Sequence, residues 1–313
     1  MVENSQIEST IAEIRKRNGN VTIFNKDKIT NAIYKALEAT GQSDRNIASQ
    51  LTDGVLSKLH QQGFSAASPP SVEDIQDMVE STLIDKGFSE IAKAYILYRH
   101  ERRKVRDNKI KVLNLKILDP VSKNFDLNCL RVLASRYLVR NNKSEIIESP
   151  SQMFERVALL VAIADLLRDS IIFSREGGIK QNVEEARSYL GKLGDFDYKF
   201  KLGEHYLNKW HFRGLINHYI DLAMKSQMKV SFKELLTMLA AKKFDNYADK
   251  VSEYYDLMTE QIFLPNSPTM MNAGGRLGQL SACFVLAMPD DMEGIMKTTS
   301  DAALIFKSGG GVG

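Results

Sequence analysis

The amino-acid sequence predicts a mainly α protein with a small β component. Its parts are a hairpin on a four-helix cluster, a longer helical region, and a last segment of loop, strand and loop. Three observations support this fold class. Apolar residues recur at helical spacing over most of the chain, an alternating stretch surrounds Asn18-Gly19, and from Phe263 the composition becomes rich in Pro, Gly and small residues. The 313 residues suffice for two domains, or for one large domain with an appendage.

The composition argues against several classes of function. With 43% hydrophobic residues the chain can bury a core, and 42 Lys and Arg against 39 Asp and Glu give no reason to expect broad binding to nucleic acid or membranes. The sequence contains no long apolar run and its N-terminus is polar, so we expect a cytoplasmic protein. The two cysteines form neither a disulfide framework nor a C-x-x-C metal site, and no metal is predicted.

The first elements are predicted from turn and cap residues. Residues 14–24 form a hairpin about Asn18-Gly19, a dipeptide that favours a type I′ turn. Asn25 caps a helix that ends at Thr40-Gly41, and a second helix follows. After two prolines Ser71 caps a third helix. The predicted apolar stripes are Ile29, Ala32, Ile33, Ala36 and Leu37, then Ile47, Leu51, Val55 and Leu59, then Ile75, Met78, Val79 and Thr82 or Leu83.

A fourth helix is predicted from Ser89 to Arg106. Its basic end, RHERRKVR, is typical of a solvated face, although one or two of its basic side chains could contact a phosphate. Residues 107–124 lose periodicity and are interpreted as a linker. Helical patterning follows over residues 125–262, with a capping box at 149–152. Residues 263–313 are predicted as loop, buried strand and loop, with CFVL as the strand.

Two places in the sequence suggest chemistry. Lys16 and Arg17 flank the hairpin turn and Lys28 lies in the first turn of a helix, where a triphosphate could dock; alone, these are ordinary surface cations. Cys283 follows small, hydroxyl-bearing residues that suit a polar ligand, although a lone Cys in an apolar strand is most often a buried hydrophobe. Cys129 lacks such neighbours and is interpreted as structural.

The N-terminal residues resemble a known nucleotide-sensing module. The basic pair, the Asn-Gly turn, FNKDKI at 24–29, VEDIQDMVE at 72–80 and AYILYR at 94–99 together resemble the ATP-cone, most familiar at the N-terminus of ribonucleotide reductases. This resemblance implies an ATP-cone over residues 1–106. It also implies that Lys16, Arg17 and Lys28 contact ATP or dATP phosphates, with Asn25 as a supporting contact.

The rest of the chain resembles the reductase itself. PNSPTMMNAG, SACFVL and KSGGGVG, in this order, look like the start of the ribonucleotide reductase catalytic barrel, most similar to the adenosylcobalamin-dependent class II enzymes. ESPSQMFERVA at 148–158 fits the helical region that precedes the barrel. The resemblance therefore implies a helical N-terminal reductase domain at 125–262 and the first strand or strands of an incomplete ten-stranded α/β barrel at 263–313.

The same resemblance implies roles for residues near the substrate. Cys283 matches the first of two redox cysteines, which together deliver two electrons to the ribose 2′ position. Ser267 matches a hydroxyl that contacts the substrate's phosphate, and Ala282 matches a backbone contact to the substrate. Glycines 309–311, Gly311 among them, would let main-chain amides approach a nucleotide because they carry no Cβ.

A second nucleotide site is implied for the specificity effector, a deoxyribonucleoside triphosphate. Asp290 matches the ribose-hydroxyl contact, with Asp291 and Met292 beside it, and Lys307 matches a phosphate contact. Without the resemblance, an ordinary polar turn and a solvent-facing lysine would be the preferred interpretations. Because this site lies at a dimer interface in the family, the resemblance implies a homodimer of the core.

The groups that a complete reductase needs are not all found in this sequence. In relatives the thiyl-forming cysteine, an adjacent carboxylate and the second redox cysteine lie downstream, as do most contacts to adenosylcobalamin. We therefore expect that the chain reduces no ribonucleotide alone and requires a C-terminal reductase polypeptide. Two alternatives remain: a nucleotide-sensing regulator without catalysis, or part of a class I large subunit that depends on a diiron partner. The sequence does not distinguish diphosphate from triphosphate substrates.

Overall fold

The computed structural model describes residues 11–65, 67–195 and 199–313. The chain divides into two compact units, Met1–Asn108 and Lys109–Gly313. Each unit has a buried apolar core of its own.

Most of the regular structure is helical, as the sequence predicts. The helices are α1 Lys26–Ala39, α2 Arg45–Gln61, α3 Val72–Asp85, α4 Ser89–Leu113, α5 Pro120–Asn124, α6 Leu127–Arg136, α7 Pro150–Leu166, α8 Val183–Leu190, α9 Lys209–Met224, α10 Phe232–Ala240, α11 Tyr247–Thr259, α12 Ser267–Asn272 and α13 Met292–Lys307, with a short 3-10 helix at Leu193–Asp195. The strands are β1 Glu13–Arg15, β2 Val21–Ile23, β3 Lys201–Leu202, β4 His205–Tyr206, β5 Cys283–Phe284 and β6 Gly311–Val312.

The first unit begins with the predicted hairpin. Strands β1 and β2 pair antiparallel, with Glu13 opposite Ile23. The predicted type I′ turn is wrong, because only Gly19 of the dipeptide has a positive φ, at 84°, whereas that turn needs two such residues. The chain instead makes a longer loop, closed by hydrogen bonds from the Gly19 amide to the Lys16 carbonyl and from the Lys16 amide to the Asn20 carbonyl.

The predicted caps of the first unit are confirmed. The Asn25 side chain accepts a hydrogen bond from the Asp27 amide at the start of α1, and Ser71 forms a full capping box with Asp74 at the start of α3. The apolar stripes pack together into one core, in which Ile33, Leu37, Val55, Leu59 and Leu83 are fully buried.

The predicted end of the fourth helix near Arg106 is wrong. Helix α4 continues to Leu113, and α5 occupies residues 120–124, so the stretch interpreted as a linker is largely helical. The apolar periodicity of a helix is weak in this stretch because residues 107–112 are mostly polar. Leu113 is fully buried in the core of the second unit, and this anchors the end of the helix.

The second unit is built around α7. Ser149 and Gln152 form the predicted capping box, with Pro150 in the first turn. The helix is apolar on nearly all sides, and it packs against α9, α11 and α12. Its core includes the fully buried Phe154 and Tyr219.

The last elements are strand, helix and strand. Strands β5 and β6 pair in parallel, with Cys283 opposite Gly311, and α13 lies between them in the chain. The predicted buried strand CFVL is wrong in both length and burial: only Cys283–Phe284 is a strand, Cys283 is exposed, and Val285 is 89% exposed. Two paired strands bury little side-chain surface. Within the described ranges, no helix is long and apolar enough to cross a membrane.

Candidate functional site

The four predicted cone residues are all exposed in the first unit. Lys16 lies in the hairpin loop, and Lys28 lies in the first turn of α1. Asn25 uses its Oδ1 atom as the α1 cap, 2.8 Å from the Asp27 amide nitrogen, so its Nδ2 group remains the part able to contact a phosphate. Among the described residues no hydrogen bond or ion pair joins these four side chains to one another.

Arg17 is not a free cation. Its Nε atom lies 2.6 Å from Oε1 of Glu73, and its Nη2 atom lies 3.3 Å from Oε1 of Gln76, both on α3. Both residues lie within the motif at 72–80, but no role was predicted for either of them. The structure shows that they hold Arg17 against α3.

The basic end of α4 behaves in two ways. Arg99 is ion-paired to Asp77 and Glu80 of α3, at 2.6 and 2.7 Å, so it is a structural residue. Burial lowers the pKa of the Arg106 guanidinium, and the charge of Arg17 lowers it further. Arg106 is itself ion-paired to Asp107, with its Nε atom 3.6 Å from Oδ1.

In the second unit, the β5–β6 pair brings two predicted substrate residues together. The Gly311 amide donates to the Ala282 carbonyl at 2.8 Å. A Cβ placed on Gly311 would lie 3.8 Å from Sγ of Cys283, so this thiol stands beside bare backbone. Because pairing occupies the Ala282 carbonyl, the amide N–H of Ala282 is the backbone group left for a ligand.

Ser267 is joined to the same region through α12. Its hydroxyl is exposed, at the first residue of this helix. Two side chains of α12 hold the chain that leads into β5: Thr269 donates through Oγ1 to the Leu280 carbonyl at 3.0 Å, and Asn272 donates through Nδ2 to the Gln279 carbonyl at 2.9 Å. The segments that carry Ser267 and Cys283 are thus tied together.

A buried ion pair anchors the end of α12. Arg156 of α7 donates through Nε to Glu148 at 2.6 Å and through Nη2 at 3.0 Å, and both side chains are less than a tenth exposed. The same guanidinium donates to the carbonyls of Ala273 and Met270. Glu148 also accepts from the Val139 amide at 3.1 Å. The two buried charges are thus paired with each other and hydrogen-bonded to backbone groups, which is the condition for tolerating charge in a core.

His211 of α9 completes this network. Its Nε2 atom lies 2.9 Å from the Arg156 carbonyl, and its Nδ1 atom lies 3.2 Å from the Asn208 amide nitrogen. Because the first partner only accepts and the second only donates, the ring is neutral with its hydrogen on Nε2. Burial lowers the pKa of His211 to about 4. Gly274 packs against the ring, and a Cβ there would lie 2.3 Å from Nε2.

This network was not predicted from the sequence. A signal for part of it existed, because Arg156 interrupts an otherwise apolar helix, and a charge at such a position requires a partner. The identity of that partner, Glu148, followed from no local rule.

A groove of about 620 Å³ lies beside the network, between α7, α9 and the loop at 274–280. Its polar wall includes Trp210 and Arg213. The Arg213 guanidinium lies over the Trp210 ring, 4.8 Å from the centroid, and donates to the Gly275 carbonyl at 3.2 Å. This groove was not predicted from the sequence.

The predicted effector residues are not brought together within one chain. Asp291 caps α13, accepting from the Gly294 amide at 2.7 Å, and Asp290 precedes it, whereas Lys307 is the last residue of that helix. At 1.5 Å per residue the 16-residue helix separates the two ends by about 22 Å. Met292 and Lys307 are both exposed.

Comparison with known proteins gives matches over nearly the whole chain. A family model described as ATP cone domain matches residues 12–104. Models described as ribonucleotide reductase, all-alpha domain, and ribonucleotide reductase, barrel domain, match residues 123–278 and 281–313. These matches confirm the resemblances found in the sequence.

Three curated relatives show the extent of similarity. A vitamin B12-dependent ribonucleoside-diphosphate reductase of Thermoplasma acidophilum is 37% identical over 308 residues, which cover 97% of this chain and 36% of that protein. The protein of the same name in Mycobacterium tuberculosis is 26% identical over 302 residues, 96% of this chain and 31% of its own length. The ribonucleoside-diphosphate reductase subunit alpha of Chlamydia muridarum is 24% identical over 381 residues, which cover 95% of this chain and 35% of that protein.

The chain thus spans about a third of the length of the curated relatives it matches. The two reductase models together account for more than half of its residues, and the cone model accounts for most of the residues before them. The chain therefore belongs to the ribonucleotide reductase family, as an ATP cone domain followed by the N-terminal region of the reductase.

Proposed function

We propose that this chain is the nucleotide-sensing and substrate-entry part of a ribonucleotide reductase, which makes deoxyribonucleotides for DNA synthesis in the cytoplasm. The observation that carries the proposal is the exposed Cys283 thiol beside Gly311, on a strand tied through α12 to Ser267. A thiol, a backbone segment without side chains and an exposed hydroxyl on connected segments suit a polar, phosphorylated substrate.

Cys283 is proposed as one of two reducing thiols. A thiol proton converts the 2′-hydroxyl of the ribose into leaving water, and two thiols closing to a disulfide supply the two electrons that the substrate gains. Cys129 is assigned a structural role and not that of the second thiol, because it lies in α6 and is partly buried against the core of the second unit. A C-terminal reductase polypeptide would supply the second thiol and the thiyl-forming cysteine.

Adenosylcobalamin is the proposed radical source, because the relatives of highest identity reported above are named as vitamin B12-dependent. When bound, it would generate the thiyl radical that starts the reaction. Cys283 lies on an open two-stranded sheet, and the contacts to adenosylcobalamin are assigned mainly to the C-terminal polypeptide.

The cone is proposed to bind ATP and dATP through Lys16, Arg17 and Lys28, with the Asn25 amide as a supporting contact. The lysines are exposed and ready to meet phosphate oxygens. Arg17 would first leave Glu73, a half-exposed partner, and this exchange makes binding of the nucleotide compete with an internal ion pair.

The proposed effector site requires a homodimer. Asp290 and Lys307 stand at opposite ends of α13, so two antiparallel copies of this helix would place Lys307 of the partner subunit beside Asp290. The surface of α13 suits such a contact, because none of its residues is buried and several apolar side chains are exposed. These are Met292 at 74%, Met296 at 62%, Leu304 at 63% and Phe306 at 60%. Asp291 and Met292 would flank the nucleotide.

The functional regions proposed for the chain keep the boundaries predicted from the sequence. They are the cone at 1–106, a connection at 107–124, the helical domain at 125–262 and the start of the barrel at 263–313. The helicity of residues 107–113 makes the connection more regular than a linker.

The test is reconstitution. The chain is mixed with a polypeptide that carries the remaining barrel, adenosylcobalamin, a thiol reductant and a ribonucleotide, and deoxyribonucleotide is measured. We expect product, its loss in Cys283→Ser, and its retention in the matched variant Cys129→Ser. Product that survives Cys283→Ser would refute the role of this thiol. The absence of product under conditions in which an intact relative works would refute the reductase proposal. Activity that depends on a diiron subunit, and not on adenosylcobalamin, would refute the proposed radical source.

A further inference from the structure

The starting observation is a pair of hydroxyls at the predicted substrate-phosphate position. Oη of Tyr137 lies 2.9 Å from Oγ of Ser267, although the two residues are 130 positions apart in the chain. Tyr137 ends α6: its amide donates to the Leu133 carbonyl at 2.9 Å, and its ring packs against the core of the second unit. The phenol oxygen is thus held in place by a buried scaffold.

Ser267 is also held in place, from the other side. The Arg156 guanidinium grips the carbonyls of Met270 and Ala273 at the end of α12, and Asn266 accepts from the Thr269 amide at its start. The two hydroxyls therefore stay together without help from a ligand, while Ser267 remains exposed to solvent.

The pair has hydrogen-bonding capacity to spare. Two hydroxyls contain two hydrogens, and only one of them is used in the contact between the oxygens. In the part of the chain that the structure describes, neither oxygen has another hydrogen-bond partner. A phosphate oxygen is an acceptor and carries charge, so it is the natural partner for such donors, and hydrogen bonds to charged groups are stronger than those between neutral groups.

We infer that Tyr137 is a phosphate-contacting residue: its hydroxyl and that of Ser267 donate together to a phosphoryl group of the bound ribonucleotide. On binding, the hydrogen bond between the two oxygens is exchanged for two hydrogen bonds to phosphate oxygens, and no covalent bond changes. The inference rests on the proposed function, because it assumes a phosphorylated substrate at Ser267.

The chain offers a matched control. Oη of Tyr255 lies 2.6 Å from Oγ of Ser151 elsewhere in the second unit, so Tyr255→Phe removes a tyrosine–serine hydrogen bond of the same kind at a place with no predicted ligand. Tyr137→Phe and Tyr255→Phe each delete one oxygen and keep the ring. Their urea midpoints report any loss of stability, separately from any loss of binding.

The experiment measures binding of CDP and of cytidine to the full chain by nuclear magnetic resonance titration, with the cone first saturated with ATP. We expect Tyr137→Phe to weaken CDP binding by about tenfold, and cytidine binding and Tyr255→Phe to show no such change. In a double-mutant cycle, Tyr137→Phe should cost less in a Ser267→Ala background, because the two hydroxyls share one phosphate.

Three binding results would overturn the inference. They are an unchanged CDP affinity in Tyr137→Phe, an equal loss for CDP and cytidine, and a wild-type chain that binds CDP no more tightly than cytidine. These outcomes are separate from reconstitution: a mixture that makes deoxyribonucleotide with Tyr137→Phe at an unchanged KM keeps the proposed function and refutes only the role of Tyr137. A mixture that makes no deoxyribonucleotide, while Tyr137→Phe still weakens phosphate-dependent binding, refutes the proposed function and keeps the role of Tyr137.

Discussion

Lowering the pH should destabilise the second unit through the buried imidazole of His211. Neutral His211 donates to the Arg156 carbonyl and accepts from the Asn208 amide. A second proton would go on Nδ1, where it would face the hydrogen of that amide. Protonation therefore breaks the capping box at the start of α9 and leaves a charge beside the buried Arg156.

The magnitude follows from the two pKa values. The pKa of His211 is about 4 in the folded chain and about 6.5 in an unfolded one. Since the unfolded state binds the proton more readily, the free energy of unfolding falls as the pH drops below 6.5 and levels off below 4. The loss from this group is about 1.4 kcal/mol between pH 8 and pH 5.5, and about 3 kcal/mol at pH 4.

The assay is urea unfolding followed by the fluorescence of Trp210, the single tryptophan, which neighbours His211 on α9 and reports on the second unit. Unfolding free energies at pH 8.0, 6.5 and 5.5 are compared for the wild type, His211→Gln and the exposed control His100→Gln. We expect the control to follow the wild type and His211→Gln to lose the contribution of about 1.4 kcal/mol from this group. The contribution of His218, whose pKa is also lowered by burial, should remain. A His211→Gln chain that loses as much stability as the wild type between pH 8.0 and 5.5 would refute the reasoning.

Three further predictions follow from contacts described above. Glu73→Gln should release Arg17 and tighten ATP binding to the cone by about two- to fivefold, and calorimetry showing weaker binding would contradict it. Gly274→Ala should destabilise the second unit by at least about 2 kcal/mol in urea, because φ is +64° and the new Cβ meets the buried imidazole; a shift below 0.5 kcal/mol would be incompatible with the packing. In thiol titration, exposed Cys283 should react first and Cys129 slowly, because burial raises the pKa of the latter; a fast phase that persists in Cys283→Ser would reverse the assignment.

Local rules predicted the helix starts well. Asn25, Ser71 and Ser149 each cap the helix that follows them, because a cap depends on residues within one turn. The position of the hairpin was also predicted correctly, but its predicted turn type was wrong. The end of α4 was missed because Leu113 is held by residues distant in the sequence.

The candidate site was predicted in part. Resemblance indicated Ser267 and Cys283, and the structure ties their segments together through α12, a relation that no spacing in the sequence could provide. Tyr137 was not predicted because its partner Ser267 lies 130 residues away. Arg156 pairs with Glu148, eight residues before it, but its contact with the end of α12 joins residues 117 positions apart. The effector residues show the opposite limit: they are close in sequence, but a straight helix keeps them apart.

The parallel pair of β5 and β6 has a practical consequence for handling the chain. Each strand has one paired side, so in the described residues the outer side of each presents unpaired amide and carbonyl groups next to exposed apolar residues such as Val285. Such edges accept strands from other molecules and promote aggregation. We therefore expect the chain to precipitate with rising concentration when it is produced alone, and to stay in solution when co-expressed with a polypeptide that adds strands to both edges.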